Sequence, residues 1–118
     1  MSAHDQRDAE DRRLDARIAE ATARGGHAFA RLLVLAETQD SGQVRTVARF
    51  IASTYNGGVV AFDLFGLRGL DEAFGDDMLA CLDALRWGRA DLHRLVPDGD
   101  ARVKHVLHNW NIEWSTAE

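Results

Sequence analysis

A chain of 118 residues, 46% hydrophobic and 28% charged, has the length of one domain and enough apolar surface for a core of its own, which excludes wholesale disorder. Its net charge of −5 argues against generic nucleic-acid binding, which rests on neutralising phosphates. Cys81 is the sole cysteine, so an intrachain disulfide is excluded.

From the N-terminus, residues 4–24 alternate acids and bases on a thin apolar stripe of Leu14, Ile18 and Ala21. Such a pattern suits a charged, partly ordered outer helix. The opening MSAHDQRDAEDRRLDARIAE lacks the apolar run of a signal peptide. No stretch approaches the roughly 20 apolar residues of a membrane span, and a cytoplasmic location is expected. Gly25-Gly26 is expected to end the first helix, dividing the chain into residues 1–24 and a globular helical domain over 25–118. Phe29, Leu32, Leu33 and Ala36 follow at core-helix spacing. Asp40 or Ser41 suits the N-cap of the next helix, with Val44, Val47, Ile51 and Tyr55 inward and Asn56-Gly57-Gly58 ending it in a left-handed turn.

Residues 55–71, YNGGVVAFDLFGLRGLD, break the helical pattern. VVAF is too short to stand as an isolated strand, so extended chain crossing the bundle is expected. Asp63 is placed to cap one turn over LFGL, with Phe62, Leu64, Phe65 and Leu67 turned onto the core and Arg68 paired with Asp63 or Asp71. GLRG also matches the GxxG loop with which KH domains clamp RNA, but the flanking pattern is wrong and a structural turn is the better reading. Asp71 then caps a helix whose buried face is Phe74, Met78, Cys81, Leu82 and Leu85, stopped by Gly88. Leu92, Leu95 and Val96 add a short inward-facing turn. Pro97-Asp98-Gly99 is a turn by composition, and Val103, Val106, Leu107, Trp110 and Trp114 line one face of a last helix.

The segments RFIASTYNGGVVAFDLFGLRGLD, DDMLACLDAL and RADLH carry a resemblance over roughly 45–110. Tyr55, Asn56, Phe62, Asp63, Leu64, Leu67, Arg68, Leu70, Asp71, Asp77, Leu82, Arg89, Asp91, His93 and Trp110 are similar to a family of short uncharacterised proteins of proteobacterial plasmids, phages and integrated elements. The resemblance implies a helical fold and a mobile-element setting and brings no assigned activity.

Several constellations bear on chemistry. His105 and His108, with His93 or Asp91 as a third ligand, suggest a metal site, yet zinc motifs on helices usually use i,i+4 spacing. Asp71, Glu72, Asp76 and Asp77 sit where a helix dipole favours acids, and no second carboxylate pair is marked opposite them. Cys81 lies on an apolar face and reads as a small hydrophobe. Arg45 and Arg49 form an exposed stripe, while Arg86, Arg89 and Arg94 cluster near a helix end. Trp114 extends the last helical stripe to a point where little chain remains to shield it, and Ile112 widens that surface.

These features are expected to give an all-α bundle of about five helices with a packed glycine-rich crossing loop and at most one very short strand. The expected function is non-enzymatic: a protein-binding module of a mobile element, an inhibitor of a host defence complex as anti-CRISPR proteins are. Arg45, Arg49, Arg89, Ile112 and Trp114 are the expected partner-binding residues, the last two through self-association or the docking of a partner. No catalytic residue, cofactor or metal is assigned. The alternatives are a nucleic-acid accessory protein using Arg45 and Arg49, and a small metal-dependent hydrolase.

Overall fold

The computed structural model of the chain describes residues 2–115, with four α-helices, two short 3-10 helices and no strand among them. Helix α1 spans Ala3–Thr38, α2 Gly42–Tyr55, α3 Glu72–Trp87 and α4 Gly99–Asn109; single 3-10 turns occupy Leu64–Leu67 and Leu92–Leu95. The all-α expectation holds. The count differs because the first two expected helices are one.

Gly25-Gly26 does not break α1, which continues through it for 36 residues, about 54 Å at 1.5 Å per residue. Both glycines are buried against neighbouring elements. A Cβ on Gly25 would overlap the Cβ of Ala84, and one on Gly26 would lie 3.2 Å from the Leu95 Cβ. Glycine is present here for close packing of α3 and the second 3-10 turn, and tertiary contact overrides its poor helix propensity. Ile18, Ala21, Gly25, Ala28 and Leu32, spaced 3, 4, 3 and 4, form the buried stripe. Ala3–Arg17 precede it and are almost wholly exposed. In that arm Ser2 caps the first turn by accepting from the Asp5 N–H, and Asp8 pairs with His4 at 3.3 Å.

α3 packs chiefly along α1, and α2 and α4 complete the bundle. Phe29, Leu32, Leu33, Ile51, Met78, Val103 and Leu107 are all at most 1% exposed and form the common core. Arg17–Asp83 at 3.2 Å and Arg31–Asp77 at 2.8 Å fasten α1 to α3; as exposed pairs, each contributes about 0–1 kcal/mol. The caps follow the sequence in part. The Ser41 hydroxyl accepts from the Val44 N–H at 3.3 Å, and Gly88 closes α3 in the left-handed region at φ 65°. Asn56 ends α2 at φ −147°, not left-handed, and its carbonyl accepts from the Val59 and Val60 N–H groups at 3.1 and 2.9 Å.

Two burial expectations are corrected. Leu82 and Leu85 are 37% and 44% exposed, because the face of α3 that meets α1 is centred on Met78, Cys81 and Ala84. Gly75 lies on the open side, with nothing within 4 Å of where its Cβ would stand. Gly75→Ala should therefore raise stability by about 0.5–1 kcal/mol through helix propensity alone, readable as a higher midpoint in thermal melts. In the crossing loop, the Asp63 carboxylate accepts from the Phe65 N–H at 3.0 Å and caps the expected turn. Yet Leu64 and Phe65 are 70% and 67% exposed, because a single four-residue turn cannot direct all its apolar side chains to one side. Phe62 is half-buried, edge-on to Phe50 at 5.5 Å. Phe62→Ala should then cost about 2 kcal/mol in denaturant titration, below the 3–5 of a fully buried ring.

Candidate functional site

The densest polar constellation gathers at the C-terminal end of α2. Tyr55 completes that helix's inner stripe and reaches the surface, where its hydroxyl donates to Asp100 Oδ1; Lys104 Nζ holds the other carboxylate oxygen at 3.0 Å. His93 and Trp114 lie edge-on to the Tyr55 ring at 5.0 and 5.4 Å, and Lys104 stands 5.8 Å from the Trp114 ring. The bonds from Tyr55 and Lys104 lower the Asp100 pKa, while burial and the Asp100 bond raise that of Tyr55. A carboxylate with both oxygens engaged and a phenol held protonated make poor bases. What this cluster does is tie α2, the second 3-10 turn, α4 and the C-terminal segment together.

That clamp corrects the exposure expected of Ile112 and Trp114. α4 stops at Asn109, Asn111 turns at φ 56°, and the segment beyond folds back on the body. Ile112 and Trp114 are half-buried against the core, and the Trp114 carbonyl accepts from Asn56 Nδ2 at 2.8 Å. The dimer or partner contact expected through these residues calls for a more open aromatic face than these half-buried side chains present. Trp110 is also fixed, its indole N–H donating to the Ala36 carbonyl at 2.9 Å.

Arg45 and Arg49 do share an exposed face of α2, and neither has a carboxylate partner among the described residues. Arg45 stands 5.4 Å from the Trp110 ring, and Arg49 donates to the Ala61 carbonyl at 3.2 Å. Arg89 lies apart from them. It pairs with Asp15 at 3.4 Å across an open groove of about 660 Å³ floored by Ala19, Ala23, Gly26 and Leu95. The expected partner residues thus fall on three separate regions.

The candidate catalytic residues are exposed, engaged or buried in the described structure. His105 and His108 are exposed on α4, His93 is engaged with Tyr55, and no group of three or more His, Cys, Asp or Glu side chains is placed to hold a metal among the described residues. Asp77 is taken up by Arg31, which donates through Nε and Nη2 at 3.1 and 2.8 Å. Cys81 is fully buried, and burial, aided by Asp77, pushes its thiol pKa up to about 12, the opposite of what a nucleophile needs.

Glu37 and Arg102 form the most protected ion pair, doubly bonded at 2.7 and 2.9 Å with each side chain about one quarter exposed. The Arg102 bonds hold the Glu37 carboxyl below the usual glutamate range. A depressed folded pKa stabilises above the unfolded value, and that stabilisation is lost as pH falls through the folded one. Glu37→Gln should consequently flatten the drop in melting temperature between roughly pH 5 and pH 3. An unchanged acid slope would show that the pair contributes nothing.

The feature that the sequence did not disclose is the tip of the crossing loop. Besides the Asp63 cap, the turn is held from below, where a Cβ on Gly66 would lie 3.3 Å from the Thr46 methyl and 3.5 Å from the Phe62 ring. Gln43 accepts from the Asp71 N–H where the loop enters α3. Arg68 pairs with neither Asp63 nor Asp71; its guanidinium stacks 4.7 Å from the exposed Phe65 ring. An aromatic, an arginine and a leucine therefore project from an ordered turn. GLRG is part of that turn, with Gly69 at φ 79°.

Among the described residues no helix is long and apolar enough to cross a membrane. A family model described as a family of unknown function, DUF7673, matches residues 26–111. No curated protein and no solved structure matches the chain.

Proposed function

The chain belongs to that family of unknown function, and from this premise we propose that it is a non-enzymatic protein-binding module whose anchor is the Leu64–Phe65–Arg68 tip. One observation carries the reading: Leu64 and Phe65 are 70% and 67% exposed on a turn that is capped, packed from below and stacked by Arg68. Aromatic and arginine side chains are enriched at the centres of protein interfaces, and an anchor already ordered loses less freedom on docking. The fitting partner is a protein with an apolar cleft for Phe65 and a carboxylate at its rim for Arg68. Arg49, bonded to Ala61, stands beside the same loop and extends the contact. The role we propose is inhibition of a host defence complex by a protein encoded on a mobile element, the setting that the resemblance over residues 45–110 implies.

Affinity purification of the tagged chain from its host tests this. The wild type should retain a protein in fixed proportion, and Phe65→Asp should lose it with an unchanged melting temperature. A variant that still retains the protein would overturn the reading.

The unpaired Arg45 and Arg49 favour nucleic-acid binding as the second reading. Against it stand the −5 charge and the engagement, among the described residues, of eight of the fourteen basic side chains in ion pairs with carboxylates. Gel-shift titration with duplex and single-stranded DNA and RNA at physiological salt is expected to show no retention at micromolar protein. Tight, steeply salt-dependent binding abolished by Arg45→Glu/Arg49→Glu would replace the protein-partner reading with this one.

A further inference from the structure

We infer that the open face of α3 is a self-complementary surface on which a second copy of this chain docks antiparallel. The face has a seam. Glu72, Gly75, Leu79, Leu82 and Arg86 follow one another at steps of 3, 4, 3 and 4, the spacing of a two-helix contact. It lies away from α1, the helix that α3 packs along. Leu79 and Leu82 are 58% and 37% exposed, and the position of a Gly75 Cβ is open space. The described chain leaves this stripe partly open, Leu79 most of all, although its centre is apolar.

Charge identifies the occupant. The stripe is acidic at its N-terminal end, where exposed Glu72 and Asp76 have no ion-pair partner among the described residues. It is basic at the other end, where Arg86 is 58% exposed; its carboxylate partner among the described residues is Asp83 of its own helix, at 2.8 Å, and its guanidinium lies 4.4 Å from the Trp87 ring. A two-fold axis between Leu79 and Leu82 sets Leu79 of each copy against Leu82 of the other. It also sets Arg86 of one copy opposite Gly75 of the other, between Glu72 and Asp76. The missing side chain at Gly75 leaves room for that arginine. Every contact occurs twice, as an isologous interface requires, and the helix dipoles run antiparallel. A parallel arrangement would oppose like charges. The contact extends over one helix of 16 residues, about 24 Å, so the dimer is small and its population follows concentration.

Sedimentation equilibrium of the full chain reads this directly. The wild type should pass from monomer to a doubled mass as its concentration rises from micromolar towards millimolar, and Leu79→Asp/Leu82→Asp should stay monomeric while remaining helical. Glu72→Arg and Arg86→Glu should each weaken self-association by about tenfold or more, since each turns attractive contacts on both sides of the two-fold repulsive. In an equimolar mixture of those two variants each residue 72 again faces an opposite charge at residue 86, so the mixture should dimerise more tightly than either variant alone. A wild type that stays monomeric throughout, a Leu79→Asp/Leu82→Asp protein that still dimerises, or a mixture no better than its components would each overturn the proposal.

Discussion

Replacing Gly25 with leucine should cost about 3 kcal/mol or more, a large part of the ~5–15 kcal/mol available to a domain of this size. Intrinsic propensity predicts the reverse, since removing glycine from a helix interior gains up to about 1 kcal/mol. Packing wins because the first added atom overlaps the Ala84 Cβ and also lies 3.0 Å from the Ala80 carbonyl oxygen, on the neighbouring helix backbone. Neither obstacle is the movable end of a flexible side chain, so α1 and α3 must separate. Even Gly25→Ala should destabilise, by about 1–2 kcal/mol, and Ala84→Gly in the same chain should recover part of that loss. Denaturant titration of the three proteins gives the coupling. Gly25→Ala equal to or more stable than the wild type would mean that the diglycine is not a packing point. Gly75→Ala is the internal contrast, the same substitution in a helix with the opposite sign.

Phe29→Ala should cost about 3–5 kcal/mol. Its ring is wholly buried, on the face of α1 that also carries Leu32 and Leu33. Removing the ring leaves a cavity that the surrounding helices cannot fill without abandoning their other contacts. The loss should be seen as a fall in denaturation midpoint at constant slope. A loss under about 1 kcal/mol would place the ring outside the core.

Much of the fold was legible because its signals are local. Phe29, Leu32, Leu33 and Ala36 share one helical face by spacing alone, Ser41 is followed by an apolar repeat that needs a cap, and Asp63 stands one residue before a turn it can close. The misreadings occur where distant chain decides. Glycine ends helices in most local contexts, so Gly25-Gly26 read as a break; the countervailing signal was Gly25's place in the run 18, 21, 25, 28, 32, where a small residue permits close approach. α3 carries leucines on more than one face, and spacing cannot say which face α1 will take, so Leu82 and Leu85 look as much inward-facing by spacing as Met78 and Cys81 do. Trp114 read as uncovered because the fold-back after Asn109 depends on Asn56 and Tyr55, more than 50 residues earlier. The same limit hid the loop tip. Leu64 and Phe65 are apolar enough to be expected inside, and only the geometry of a capped 3-10 turn shows that they point out.

Exposure of that kind separates folding from binding. Substituting Leu64 or Phe65 should alter stability by no more than about 0.5 kcal/mol, whereas truncating a central anchor commonly costs an interface 2 kcal/mol or more. Hydrogen–deuterium exchange of the chain, alone and in complex with the protein it retains on purification, measures where docking occurs. Residues 62–71 should show the largest slowing of exchange on binding, with the α2 face around Arg45 changing less. Protection centred elsewhere, with residues 62–71 exchanging equally fast in both states, would contradict the assignment of the loop tip as the anchor.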